Sequence, residues 1–165
     1  MSLLHANEII HRDIKLNNVL ISEDGPTLSD KDASVTSAVK TTYKLGDFGS
    51  AVMHVVPDTT AKQFIGTMGY IAPEMLLQKG YGKAVDVYSL GALMHVLLSH
   101  KLPFLCEDRN EYHRRLRIEE LDLSERSLEV ALSSEAKDLL RGMLQRNPSE
   151  RLSITQVLSH PWLQL

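Results

Sequence analysis

Residues 84–98 constrain the fold of this chain more than any other stretch. Val85, Val87, Leu90, Ala92, Leu93, Met94, Val96, Leu97 and Leu98 spread over most of a helical circumference. A helix apolar on every side must be surrounded either by lipid or by protein. The longest charge-free stretch here, residues 87–100, falls short of the roughly 18 apolar residues that span a bilayer. The spacing therefore predicts a helix at the centre of a globular core, ended by the Lys101-Leu102-Pro103 step. A length of 165 residues with 43% hydrophobic content suits one domain around that helix.

Charge narrows the classes of partner. Lys and Arg number 18 against 21 Asp and Glu, for a net charge of −3, and no polybasic run is present. Neither nucleic acid nor an anionic membrane is expected as a partner. Met1-Ser2-Leu3-Leu4-His5 lacks the basic flank and apolar core of a secretory leader. The single cysteine, Cys106, excludes an internal disulfide and fits a reducing compartment, cytoplasm or nucleus.

The remaining segments read as short elements around that helix. Residues 9–20 follow neither helical nor strand periodicity and read as a structured polar loop. Residues 19–21 and 42–45 are β-prone and predict a hairpin. Residues 22–41 between them, rich in Ser, Thr, Asp and Gly, read as a mobile hairpin insertion. Residues 46–69, punctuated by Gly46, Gly49, Pro57, Gly66 and Gly69, read as an extended loop. Ser133 or Ser134 can cap a helix carrying Glu135 in its first turn and Ala136, Leu139, Leu140, Met143 and Leu144 as its stripe. Ser153 with Gln156 is a capping-box signature for a last short helix, residues 154–159.

Three polar clusters follow one another in a fixed order: His11-Arg12-Asp13 with Lys15 and Asn18, then Asp47-Phe48-Gly49, then Ala72-Pro73-Glu74. With these residues the chain resembles the C-terminal, catalytic lobe of eukaryotic protein kinases. The resemblance runs from Leu4-His5 to His160-Pro161-Trp162. It implies a mainly α fold with a small β-hairpin, an α+β large lobe in which residues 11–18 are the catalytic loop. Residues 47–74 would then be the activation segment and residues 84–163 a helical base.

By this resemblance, Asp13 orients or accepts the proton of the substrate hydroxyl and Lys15 reaches the γ-phosphate of ATP. Asn18 and Asp47 would ligate Mg²⁺ through oxygen, as a hard cation prefers, and Leu20 would lie beneath the adenine. His11 and Phe48 match an apolar spine anchored by Asp86, and Gly49 completes the Asp-Phe-Gly turn. Glu74 and Arg151 match a buried ion pair. Lys15, and Thr67 within Gly66-Thr67-Met68-Gly69-Tyr70, match serine/threonine kinases, so the implied partner is a protein substrate presenting Ser or Thr. Residues 69–74 and 160–163 look most like the calcium/calmodulin-dependent branch.

The sequence also departs from the pattern. No glycine-rich loop, strand lysine or partnering glutamate precedes His11, so a partial catalytic domain without its N-terminal lobe is expected. Such a chain reads as a fragment, a truncated gene model or a splice product. Leu16-Asn17 stands where many relatives carry Pro-Glu, which removes an acidic contact for basic substrates. Arg12 matches kinases switched by phosphate, yet the residue four before Thr67 is Gln63. Thr59 and Thr60 are the candidate phosphosites, implying an upstream kinase or regulator. A reading from a different class is a catalytically inactive interaction module derived from the same lobe.

Overall fold

The computed structural model describes residues 1–24, 40–53, 63–77, 80–104, 106 and 108–164. Helix α1 (Ser2–Ala6) leads into strand β1 (Ile9–Ile10), and β2 (Val19–Asp24) and β3 (Lys40–Leu45) form an antiparallel hairpin with Val19 opposite Leu45 and Ile21 opposite Tyr43. Strand β4 (Val52–Met53) pairs back onto β1. Six helices follow: α2 (Pro73–Leu76), α3 (Ala84–Ser99), α4 (Arg109–Ile118), α5 (Glu125–Leu128), α6 (Ser134–Met143) and α7 (Ile154–Leu158). Among the described residues no helix is long and apolar enough to cross a membrane. Among the described residues the architecture is mainly helical, as expected, with two small antiparallel sheets where one hairpin was expected.

Helix α3 is the axis of the core. Val85 and Tyr88 face a cluster holding Ile10, Ile71, Met75, Tyr112 and Leu140, while Val87 faces a second holding Leu139, Met143, Ile154 and Val157. Apolar side chains on opposite sides of one helix thus join two packing layers. The enclosure is incomplete, however: Leu97 is 59% exposed near the C-terminal end. Contact between α3 and α6 depends on Gly91, where a Cβ would lie 2.9 Å from Met143 Cβ. The helix stops before the proline step, at His100, whose left-handed backbone (φ 58°) turns its N–H onto the Val96 carbonyl at 2.8 Å.

Two serines cap the later helices as read. The Ser133 hydroxyl accepts from Ala136 N–H at 3.1 Å, and Ser153 and Gln156 close a reciprocal capping box at the start of α7. The stripe of α6, from Ala136 through Leu144, is buried.

Three expectations change. Residues 9–20 are not all loop, because Ile9 and Ile10 form a strand whose partner lies more than forty residues on. For the same reason residues 46–69 are not one extended loop: they include β4 and a 3-10 turn over Phe48–Ser50. Strand pairing extends the hairpin to Asp24 and Lys40, trimming the insertion at both ends; its residues 25–39 lie outside the described residues. Helix α4 carries no broad apolar stripe, since only Tyr112 and Leu116, one turn apart, are buried on it. Asp108 nonetheless caps it through Glu111 N–H at 2.7 Å.

Candidate active site

Residues 11–18 are held from beneath by α3. Asp86, fully buried in the first turn of that helix, accepts from the backbone N–H groups of His11 (2.8 Å) and Arg12 (2.9 Å) and bonds the His5 ring at 3.0 Å. A carboxylate so deep in the core needs every one of these partners. They fix Arg12 in a left-handed conformation (φ 70°), a backbone state that a non-glycine residue adopts only when its surroundings require it. The chain then turns so that Asp13 and Lys15 emerge on one side.

There the side chains converge. Thr67 Oγ1 donates to Asp13 Oδ1 at 2.8 Å, while Lys15 Nζ donates to Asp13 Oδ2 at 2.8 Å and to Thr67 Oγ1 at 2.9 Å. Asn18 Nδ2 donates to the Asp13 carbonyl at 2.8 Å and reaches Asp13 Oδ2 at 3.3 Å. Partial burial pushes the Asp13 pKa up, but the bonds from Lys15 and Thr67, the Lys15 charge and the Asn18 amide outweigh it. The carboxyl is therefore held below its ordinary value and stays ionised at neutral pH. Each of its oxygens can accept more than one hydrogen bond, so an incoming hydroxyl can still be received.

Asp47 reaches the same region through the hairpin. Gly46 N–H donates to the Asn18 carbonyl at 2.8 Å and Gly46 O bonds the His11 ring at 3.0 Å, which ties the end of β3 to residues 11–18. Asp47 itself is exposed and left-handed (φ 56°), with Oδ1 accepting from Gly49 N–H at 3.3 Å. Among the described residues its other carboxylate oxygen and the Asn18 amide oxygen accept no hydrogen bond. Carboxylate and amide oxygens are the ligand type that a hard cation such as Mg²⁺ takes. Leu20, on β2, is 57% exposed. Phe48 meets the His11 ring edge-on at 5.0 Å between centroids and remains half exposed.

The segment from Gly66 to Glu74 is fastened to the helical base. Tyr70 N–H closes a turn onto the Thr67 carbonyl at 3.0 Å, and Ser89 donates to the Tyr70 carbonyl at 2.8 Å. The Tyr112 hydroxyl donates to the Ile71 carbonyl at 3.0 Å. Glu74 and Arg151 form a bidentate pair at 2.6 and 2.9 Å, with the arginine side chain fully buried. Arg151 also donates to the carbonyls of Ala84 (2.8 Å) and Gln145 (2.9 Å). One guanidinium thus joins α2, the start of α3 and the loop after α6.

Asp13, Lys15, Asn18 and Thr67 therefore meet directly, and Asp47 is linked to them through Gly46. Thr59 and Thr60 lie outside the described residues. Sequence reasoning missed Tyr81, whose hydroxyl lies between Arg12 and the Gln63 carbonyl; nothing in its local pattern marks it apart from core aromatics.

Comparison with known proteins identifies the family. The sequence matches the protein kinase domain family over residues 1–163. It is 35% identical to mouse Aurora kinase C over 164 residues, which is 99% of this chain and 51% of that protein. It is 33% identical to the rabbit calcium/calmodulin-dependent protein kinase type II subunit delta, covering 96% of this chain and 27% of the relative. It is 38% identical to calcium-dependent protein kinase 25 of Arabidopsis thaliana, covering 97% and 28%. The chain spans about half the length of the first of these relatives and under a third of the other two. Similar identities to Aurora and calcium-dependent proteins single out neither branch.

Proposed function

Because this chain belongs to the protein kinase family, we propose that it carries the catalytic lobe of a serine/threonine protein kinase, transferring the γ-phosphoryl group of Mg-ATP to a protein hydroxyl. The observation that carries the reading is the Asp13 carboxylate, ionised and bonded at once by Lys15 and Thr67. Phosphoryl transfer requires positioning and charge stabilisation rather than covalent chemistry by the protein, and these side chains supply both.

When bound, Mg-ATP supplies the phosphoryl group and the divalent charge that stabilises its transfer. Asn18 and Asp47 would hold the metal through the oxygens that carry no bond among the described residues, and Leu20 would lie beneath the adenine. Asp13 orients the Ser or Thr hydroxyl and receives its proton as that oxygen bonds to the γ-phosphorus and the bond from phosphorus to the β-phosphate oxygen breaks, releasing ADP. Lys15, already shared between Asp13 and Thr67, brings positive charge to the equatorial oxygens over which the charge of the transferring group is spread. Thr67 holds the substrate-side segment against the catalytic carboxylate, and Gly66 and Tyr70 form the turn on either side of it.

The test is a Mg-ATP titration of the full-length gene product, followed by phosphotransfer to a Ser-containing and a Tyr-containing peptide library. Saturable nucleotide binding with incorporation at Ser or Thr is the expected result. A folded protein that binds no nucleotide at millimolar concentration would instead be a noncatalytic interaction module.

A further inference from the structure

We propose that Tyr81 is a positioning residue for the phosphotransfer reaction, joining Arg12 of the catalytic loop to the backbone of Gln63 so that residues 63–70 are held without a phosphoryl group. The inference rests on the reading of residues 11–18 and 47–74 as catalytic loop and activation segment.

Tyr81 stands just before α3 and is 3% exposed. Its hydroxyl donates to the Gln63 carbonyl at 2.8 Å and accepts from Arg12 Nη1 at 3.4 Å. On its other edge the same guanidinium donates through Nε to the Ser50 carbonyl at 2.5 Å. Arg12 therefore grips the outgoing limb of the segment directly, just past Asp47-Phe48-Gly49, and the returning limb through one phenol oxygen. Among the described residues both acceptors are neutral. A guanidinium that is 8% exposed needs acceptors, and a carbonyl and a phenol provide them in this fold.

A second contact brings the returning limb to the same place. Gly66 has φ +119°, and a Cβ there would lie 2.9 Å from the Arg12 carbonyl, so the segment packs against the Arg12 main chain as well as its side chain. Between the two contacts, Arg109 of α4 stacks over the Phe64 ring at 3.8 Å. Thr67, whose hydroxyl rests on Asp13, follows Gly66 directly. Whatever fixes Gln63 and Gly66 on Arg12 thus sets where Thr67 meets the catalytic carboxylate. Gln63 has no hydroxyl to phosphorylate, and its carbonyl is the atom held.

Tyr81→Phe in the phosphatase-treated full-length product removes the oxygen and little else. Losing two hydrogen bonds should make amide hydrogen exchange at residues 64–70 about tenfold faster while α3 and α6 are unchanged. KM for a peptide substrate should rise severalfold, with KM for ATP unaffected. Gln63→Ala keeps the carbonyl and should match wild type in both measurements. Unchanged exchange at 64–70 in Tyr81→Phe overturns the proposal. So does wild-type protein whose 64–70 amides are slow only before phosphatase treatment, because a phosphate is then what holds the segment. A wild-type protein with slow 64–70 exchange and no phosphotransfer counts against the kinase reading, and the exchange comparison still decides the role of Tyr81.

Discussion

The Thr67 hydroxyl donates to Asp13 Oδ1 across 54 residues of chain, and Lys15 Nζ closes the ring by bonding both side chains. This ring keeps the Asp13 carboxyl below its ordinary pKa although burial acts in the opposite direction. The folded state binds the proton more weakly than the unfolded chain. The carboxylate's contribution to stability is therefore fully present above the unfolded pKa of about 3.9 and is lost as pH falls through the lower folded value. Wild type should melt above Asp13→Asn at pH 6, and the difference should shrink towards zero below about pH 4. Thr67→Val should move the Asp13 carboxyl resonance midpoint upward in an NMR titration. A gap between the two melting curves that does not change with pH would contradict this.

Arg151 offers a stability test independent of chemistry. Removing it leaves Glu74 buried without its bidentate partner and takes one donor from each of the Ala84 and Gln145 carbonyls. Arg151→Ala should cost about 3–5 kcal/mol in urea unfolding. Arg114→Ala, which removes an exposed pair with Glu111 on α4, should leave the midpoint nearly unchanged. Equal effects from the two variants would mean that the buried pair does not hold α2 to the helical base.

Gly91 tests the packing of α3 on α6. An added methyl meets Met143 Cβ at 2.9 Å and Leu144 Cγ at 3.1 Å, atoms near the backbone that move little. Overpacking of about 1–3 kcal/mol should exceed the gain of about 1 kcal/mol in helix propensity, so Gly91→Ala lowers stability. Gly82→Ala, with nothing within 4 Å of its Cβ, is the matched control and should be near neutral. A stabilised Gly91→Ala would show that the two helices can separate freely.

How far the sequence could be read depended on how local each signal is. Helix α3 was legible because apolar residues crowd every side of one short stretch, and α6 and α7 because Ser133 and Ser153 mark their starts. Strands β1 and β4, of two residues each, carry no period and exist only through each other. Helix α4 was hidden by its charges. Asp13, Lys15, Asn18 and Asp47 were legible as candidates because they fall in ordered motifs; the ring through Thr67 and the Tyr81 link were not, since both join residues more than fifteen positions apart.

The central claim is that Asp13 and Asp47 serve phosphoryl transfer. Its most direct test is transfer of labelled γ-phosphate to a Ser/Thr peptide by the full-length product, comparing wild type with Asp13→Asn and Asp47→Asn. Each substitution keeps the side-chain volume and removes one charge. The account predicts that Asp13→Asn lowers kcat at least a hundredfold, the lower end of what general acid–base groups supply (~10²), while Mg-ATP binding is retained. Asp47→Asn should weaken Mg-ATP binding itself. Wild-type transfer left intact by both substitutions would contradict the account.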